Sequence, residues 1–182
     1  EALETYIEQS RQELELLKSI EASLTIAETE TDLADIRREL IDHGFIKKHT
    51  GSKKEKSKKS KPLHFIDDNG FDIYVGKNNY QNDYLTNKLA KYNEYFFNVK
   101  DYPGSHVIVH SQTLDEPTIR YAANLAAYYS KTRYSSTVPV NYTIVKNVKK
   151  IPGAKLGLVS LKNYKTIYID PDESLFKDYL KN

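Results

Sequence analysis

No cysteine and no methionine occur in the 182 residues. Without cysteine the chain can build neither a disulfide scaffold nor any thiol chemistry, although this leaves its compartment open. Methionine is missing even from position 1, so the sequence reads as a piece cut from a longer protein, and a signal peptide cannot be judged from it. No apolar run approaches the roughly 18 residues that a membrane-spanning helix needs. The length suits one ordinary core with some chain left for an appendage.

A net excess of charge is also nearly absent, at +2. That small total hides a strong segregation. Residues 1–46 carry twelve acids against four bases, and residues 47–61 carry eight lysines against Glu55 alone. Blocks of this kind say more about partners than the sum does.

The acidic block reads as helix. Leu3, Ile7, Leu14, Leu17 and Leu24 recur at coiled-coil spacing, with Leu16 and Ile20 widening the stripe. Thr31 is placed to cap a second helix with the apolar face Leu33, Ile36, Leu40 and Ile41, ending before Gly44. Residues 47–61 form a lysine-rich linker, since Thr50 to Lys61 offers no apolar residue to a core.

From Pro62 the pattern changes to α/β. Strands are expected at His64–Ile66 and Phe71–Val75 around an Asn69-Gly70 turn. A helix over about Tyr80–Ala90 comes next. Strands Tyr95–Val99 and Ser105–His110 flank a type II turn at Pro103-Gly104. Pro117 opens a helix with the small inner face Ala122, Ala123, Ala126 and Ala127. Strands Tyr142–Val148, Leu158–Leu161 and Thr166–Ile169 follow, and a last helix is expected over about Glu173–Leu180. The fold class is therefore α/β: a mixed, mainly antiparallel sheet with packed helices over 62–182, preceded by an extended helical, coiled-coil arm over 1–46.

No catalytic constellation emerges. Ser105-His106 and His110-Ser111 are neighbours on a strand, and adjacent residues there point to opposite faces. His106 and His110 share a face but stand about 13 Å apart at strand rise, too far to chelate one metal. We therefore expect a binding module rather than an enzyme, with no metal and no cofactor. Basic and amide side chains beside glycine turns are the better candidates, because glycine lets backbone amides approach an anion and a lysine adds charge. They are Lys77, Asn78, Asn79, Asn82, Lys100, His106, Arg133, Lys149, Lys150 and Lys155. A strand, Gly76, Lys77 and a helix start together suit phosphate without forming a nucleotide-hydrolysing loop. Fifteen tyrosines supply stacking surfaces for unpaired bases.

These motifs carry a family resemblance. Gly76-Lys77-Asn78-Asn79, Asn82-Asp83-Tyr84-Leu85-Thr86 and Lys100-Asp101-Tyr102-Pro103-Gly104-Ser105-His106-Val107 resemble the NFACT-R domain of the RqcH/NEMF family. Val138 to Lys155 and Lys165 to Pro171 do the same. Members of that family often have Trp-Phe-His where this chain has Phe96-Phe97-Asn98. The resemblance implies an RNA-binding module of ribosome-associated quality control. Its partners would be tRNA and the large ribosomal subunit, its place cytoplasmic, and alanine tailing of stalled chains the task of the whole protein. It also implies that the first coiled-coil arm comes from farther upstream, leaving the leucine stripe orphaned and able to pair with a second copy. The family's older label implies an alternative, a fibronectin-binding adhesin at the cell surface, for which the C-terminus displays no anchor motif.

Overall fold

The computed structural model describes residues 1–49, 58–177 and 180–181. The first helix, α1, spans Ala2–Ile26. Thr29 then turns the chain. Its side chain accepts the Asp32 backbone N–H while the Asp32 carboxylate accepts the Thr29 N–H, a reciprocal box that starts α2 at Glu30–Asp42. The cap is thus Thr29 and not Thr31, because the acid that completes the box lies three residues after Thr29.

α1 and α2 form a hairpin rather than an extended coiled-coil arm. Leu16, Ile20 and Ile36 make its small core, with Leu40 and Phe45 packed against them. The stripe expected to be the seam points to water: Leu3, Ile7, Leu14, Leu17 and Leu24 are 39–71% exposed. The face of α2 is only partly the one expected, since Ile36 and Leu40 do pack inward. Leu33 is exposed, while Asp32, Asp35, Ile36 and Glu39 are buried. Much of the lysine-rich segment, residues 50–57, lies outside the described residues. Its C-terminal end is fixed, since Ser60 donates through both its backbone N–H and its hydroxyl to Asp35 Oδ2, at 2.9 and 2.6 Å.

The remainder is built on one antiparallel sheet. Its strands are β1 (Leu63–Ile66), β2 (Asp72–Val75), β3 (Tyr95–Val99), β4 (Val107–Val109), β5 (Val138–Ile144), β8 (Lys165–Ile169) and β9 (Leu180–Lys181). They lie in the order β8-β5-β3-β4-β2-β1-β9. A separate ribbon pairs β6 (Val148–Lys150) with β7 (Val159–Leu161).

Strand alternation sends Ile73, Val75, Phe97, Val99, Val107, Val109 and Val140 to one face, where α4 (Glu116–Tyr128) covers them. Asp115 caps α4 through the Thr118 N–H, and Pro117 sits in its first turn. Ala122, Ala123, Ala126 and Ala127 are fully buried against the sheet, as their small size suggests. The opposite face carries Phe96 and Ile108. Over them lie the ribbon and the helix α3 (Asn79–Tyr84), which continues as a π-turn over Leu85–Leu89.

Three expectations are corrected. The strand expected at Tyr142–Val148 runs from Val138 to Ile144 and then breaks into a 3₁₀ turn at Val145–Asn147. Pro139 lies just beyond the β3 ladder, which ends at Val99↔Val140, so its missing N–H is tolerated. The turn at 102–105 is not type II. Positive φ falls on Asp101 (62°), whereas Gly104 is needed because a Cβ there would stand 2.7 Å from Ser130 Cβ. Finally, in place of the helix expected over about Glu173–Leu180, Glu173–Leu175 is a 3₁₀ turn and Leu180 lies in a strand. Phe176 inserts against Phe65, Tyr128 and Tyr129, and the chain goes on to pair with the β1 edge as β9. Anchoring an aromatic in the core and pairing an open sheet edge outweigh a short exposed helix.

Candidate nucleic-acid interface

The turn after β2 is where the sequence points first. Gly76 is required there by packing, since a Cβ would lie 2.1 Å from Asn82 Oδ1. The helix start that follows is already satisfied from within. Asn78 caps α3 by accepting the Gln81 N–H at 2.9 Å, and Gln81 Oε1 accepts the Lys77 N–H at 2.9 Å. Lys77 extends to Asp32 Oδ1 of α2, at 2.5 Å, with a side chain only 12% exposed. Burial alone would raise the Asp32 carboxyl. The Lys77 ammonium and the Glu28 N–H more than offset this and hold it below the ordinary value. The anion that meets Lys77 is therefore a carboxylate of the hairpin.

Asn79 joins the same interface. Its Nδ2 donates to Glu39 Oε1 at 2.6 Å and to Ser19 Oγ at 2.8 Å. Glu39 is fully buried, its Oε2 has no partner among the described residues, and burial pushes its carboxyl up. Tyr80 donates to Asp42, Gln81 Nε2 reaches Ser60, and Lys131 pairs with Glu21. This polar joint fixes the hairpin to the domain.

His106 is buried beneath α3. Thr86 Oγ1 lies 2.8 Å from its Nδ1, and desolvation lowers its pKa to about 4, so the ring is neutral at physiological pH. Asn82 Oδ1 accepts the His106 N–H at 3.0 Å. Arg133 lies over the Tyr128 ring at 4.2 Å and donates to the Tyr128 carbonyl. Lys150 pairs with Asp83 at 2.8 Å yet remains 59% exposed. Among the described residues, Lys100, Lys149 and Lys155 make no ion pair. Of the ten residues singled out in sequence, Lys77, Asn78, Asn79, Asn82 and His106 are thus engaged inside the molecule, while Lys100, just after β3, and Lys149 and Lys150 of β6 are exposed and Lys155 is half-buried.

Two adjoining hollows lie between these elements. One, about 280 Å³, is walled by Ser19 of α1, Asn79 and Asn82 of α3, Asn98 of β3 and the Tyr102-Pro103-Gly104 loop. The other, about 170 Å³, is lined by Asp83, Asn87, Lys150 and Lys155. They share His106 and the segment 157–159. Asn98 and Tyr102 were not among the residues singled out. The signal that could have found them is an asparagine in a strand, where that residue is depleted, beside a tyrosine in a Pro-Gly turn. Tyr102 is 56% exposed. No helix among the described residues is long and apolar enough to cross a membrane, and no group of three metal-ligating side chains occurs among them.

Residues 61–163 match the model of the NFACT protein RNA binding domain. The chain belongs to the NFACT family. Residues 1–59 match the model of the NFACT N-terminal and middle domains. Among similar proteins, the "Rqc2 homolog RqcH" of Bacillus subtilis is 38% identical over 172 residues, which cover 93% of this chain and 30% of that protein. The protein of the same name from Streptococcus pneumoniae is 39% identical over 167 residues, 91% of this chain and 30% of its own. The NFACT chain thus spans about a third of the length of the curated relatives it matches. A solved structure of the C-terminal part of the fibronectin/fibrinogen-binding protein from Streptococcus suis superposes with a TM-score of 0.90. It is 36% identical, and the match covers 98% of this chain and 72% of that one.

Proposed function

We propose that this chain is the RNA-holding part of a ribosome quality-control factor. It docks on tRNA and on RNA of the large ribosomal subunit, in the cytoplasm, without catalysing a reaction itself. Alanine tailing of stalled chains is then the work of the whole protein. The observation that carries this reading is the set of lysines without ion-pair partners among the described residues, Lys100, Lys149 and Lys155, within the span of the family's RNA-binding domain. The lysines bind phosphate by releasing counterions, while the polar joint keeps the hairpin in a fixed direction from the bound RNA. The open leucine stripe of α1 takes a second helix, and in the isolated chain that helix comes from a second copy.

Titration of labelled tRNA against this chain at several salt concentrations tests the RNA reading. Lys100→Ala with Lys149→Ala should weaken binding and flatten the dependence of log affinity on log salt by about one unit per lysine. An unchanged slope would remove these lysines from the interface. The second reading, fibronectin binding, draws on the name of the Streptococcus suis relative. Under that reading immobilised fibronectin captures the chain and tRNA does not compete.

A further inference from the structure

The larger hollow combines polar side chains with a floor that carries no positive charge. Its amides are held in fixed orientation by partners of unambiguous polarity. Asn82 spends Oδ1 on the His106 N–H, which leaves its Nδ2 as a donor. Asn98 spends Nδ2 on the Ser105 carbonyl at 3.2 Å, which leaves its Oδ1 as an acceptor. Asn79 spends Nδ2 on Ser19 and Glu39, which leaves a second amide oxygen. None of these three remaining atoms has a hydrogen-bond partner among the described residues, and all three residues line the hollow. The rim adds the carboxylates of Glu15 and Asp101 and the exposed ring of Tyr102.

Phosphate is a poor occupant of such a place. The histidine in the floor is neutral, the rim acids repel an anion, and the lysines belong to the neighbouring hollow. A planar group with several N–H donors fits far better. We infer that the amide-lined hollow takes one unpaired RNA base, guanine in first place, with an adjacent phosphate resting on Lys150 and Lys155 in the neighbouring hollow. Guanine follows from the count of remaining atoms. Acceptors outnumber donors in the wall, and guanine presents two N–H groups beside one carbonyl on its pairing edge. Tyr102 supplies the stacking surface that single-stranded readers use. Lys150 remains suitable although it pairs with Asp83, because an ammonium has three donors and this one is largely exposed. The volume admits one base and excludes a duplex, so the site reads loops, bulges or ends.

This inference rests on the RNA-binding reading, and the test separates the two. Fluorescence anisotropy would compare a short oligouridylate with the same strand carrying one central guanosine, or one central adenosine, against the whole chain. The guanosine strand should bind about tenfold more tightly than the uridine strand, with adenosine between them. Tyr102→Ala, at an exposed position, should reduce that ratio to near one while the salt slope stays unchanged. Asn98→Leu should do the same, with a thermal melt confirming that it folds. A wild-type ratio of one, or a ratio that survives Tyr102→Ala, overturns the base pocket while leaving RNA binding intact. Failure to bind any strand or tRNA at low salt overturns the RNA reading itself.

Discussion

Two joints hold this molecule together, one mainly apolar and the other mainly polar. α4 meets the sheet mainly through four alanines and a layer of valines and phenylalanines, with a carboxylate contact at its N-terminal end, where Thr118 donates to Asp67. The hairpin meets the same domain through Asp32, Asp35 and Glu39 beside the apolar Ile26, while Leu3, Leu14, Leu17, Leu24 and Leu33 stand in water. The first joint is non-directional and draws its strength from apolar area. The second depends on each charged or amide group finding one partner, and loses heavily if a partner is removed. A joint of that second kind fixes orientation, which is what an arm projecting from a bound domain requires.

The sharpest way to break the comparison is to remove one partner from each joint. Lys77→Met leaves the buried Asp32 carboxylate without its ammonium partner, and should cost about 3 kcal/mol in urea unfolding. Adding Asp32→Asn should restore much of that loss, because the amide removes the unpaired charge while keeping an oxygen to accept the Glu28 and Thr29 N–H groups. Ala126→Leu instead overpacks the α4 interface and should cost about 2 kcal/mol, with no rescue by either hairpin substitution. If the Lys77→Met loss is not relieved by Asp32→Asn, the two side chains are not the pair that holds the hairpin.

Acid titration sharpens the same contrast. His106 is neutral in the folded chain down to about pH 4, whereas an unfolded histidine takes its proton near pH 6.5. Between those values the unfolded state binds more protons, so stability falls as pH is lowered from 6.5 to 4. The loss is on the order of 3 kcal/mol. Asp32 acts in the same direction at lower pH, since its depressed carboxyl contributes stability above the ordinary value that is lost on acidification. Glu39 acts oppositely. Its raised carboxyl favours the fold while protonated, and that contribution disappears as pH rises through its folded pKa. His106→Gln should therefore flatten the stability profile between pH 6.5 and 4, and Glu39→Gln should raise the unfolding midpoint most at the alkaline end, where the Glu39 carboxyl is ionised. A profile for His106→Gln as steep as that of the parent chain would place the acid sensitivity elsewhere.

The two joints also differ in how far they can be read from sequence. Strand alternation at Phe71–Val75 and Tyr95–Val99, and the Asp115-Pro117 start of α4 with its alanine spacing, announce the apolar core because each signal is local. The Lys77–Asp32 and Asn79–Glu39 contacts join residues 45 and 40 positions apart. No period or spacing marks them, and buried acids on a helix look like a solvated face until the partner is placed opposite. The amide hollow was half legible. Asn79, Asn82 and His106 stood out beside Gly76 and the Pro103-Gly104 turn, whereas Asn98 and Tyr102 gain meaning only when β3 lies beside the segment 157–159. The break after Ile144 and the return of the C-terminus to β1 were illegible for the same reason. Each is decided by what the chain packs against, not by its own propensity.

The smallest expected change in stability belongs to the outer face of the hairpin, where adjacent leucines make the contrast within one turn of α1. Leu16 is 2% exposed and packs against Ile36, whereas Leu17 is 39% exposed and Leu14 51%. Leu16→Glu would bury a carboxylate without a partner and should unfold the hairpin. Leu14→Glu with Leu17→Glu puts charge where water already reaches, and should change the unfolding free energy by less than about 0.5 kcal/mol. Their effect should appear in association instead. Several large aliphatics, each contributing roughly 1.5–3 kcal/mol when fully buried, are enough to outweigh the entropy of pairing two helices at high concentration. Sedimentation of the parent chain should show a concentration-dependent dimer, and the double substitution should return it to a monomer with its thermal midpoint unchanged. A parent chain that stays monomeric at high concentration would mean that the stripe takes no second copy, and that its leucines need a helix of different sequence.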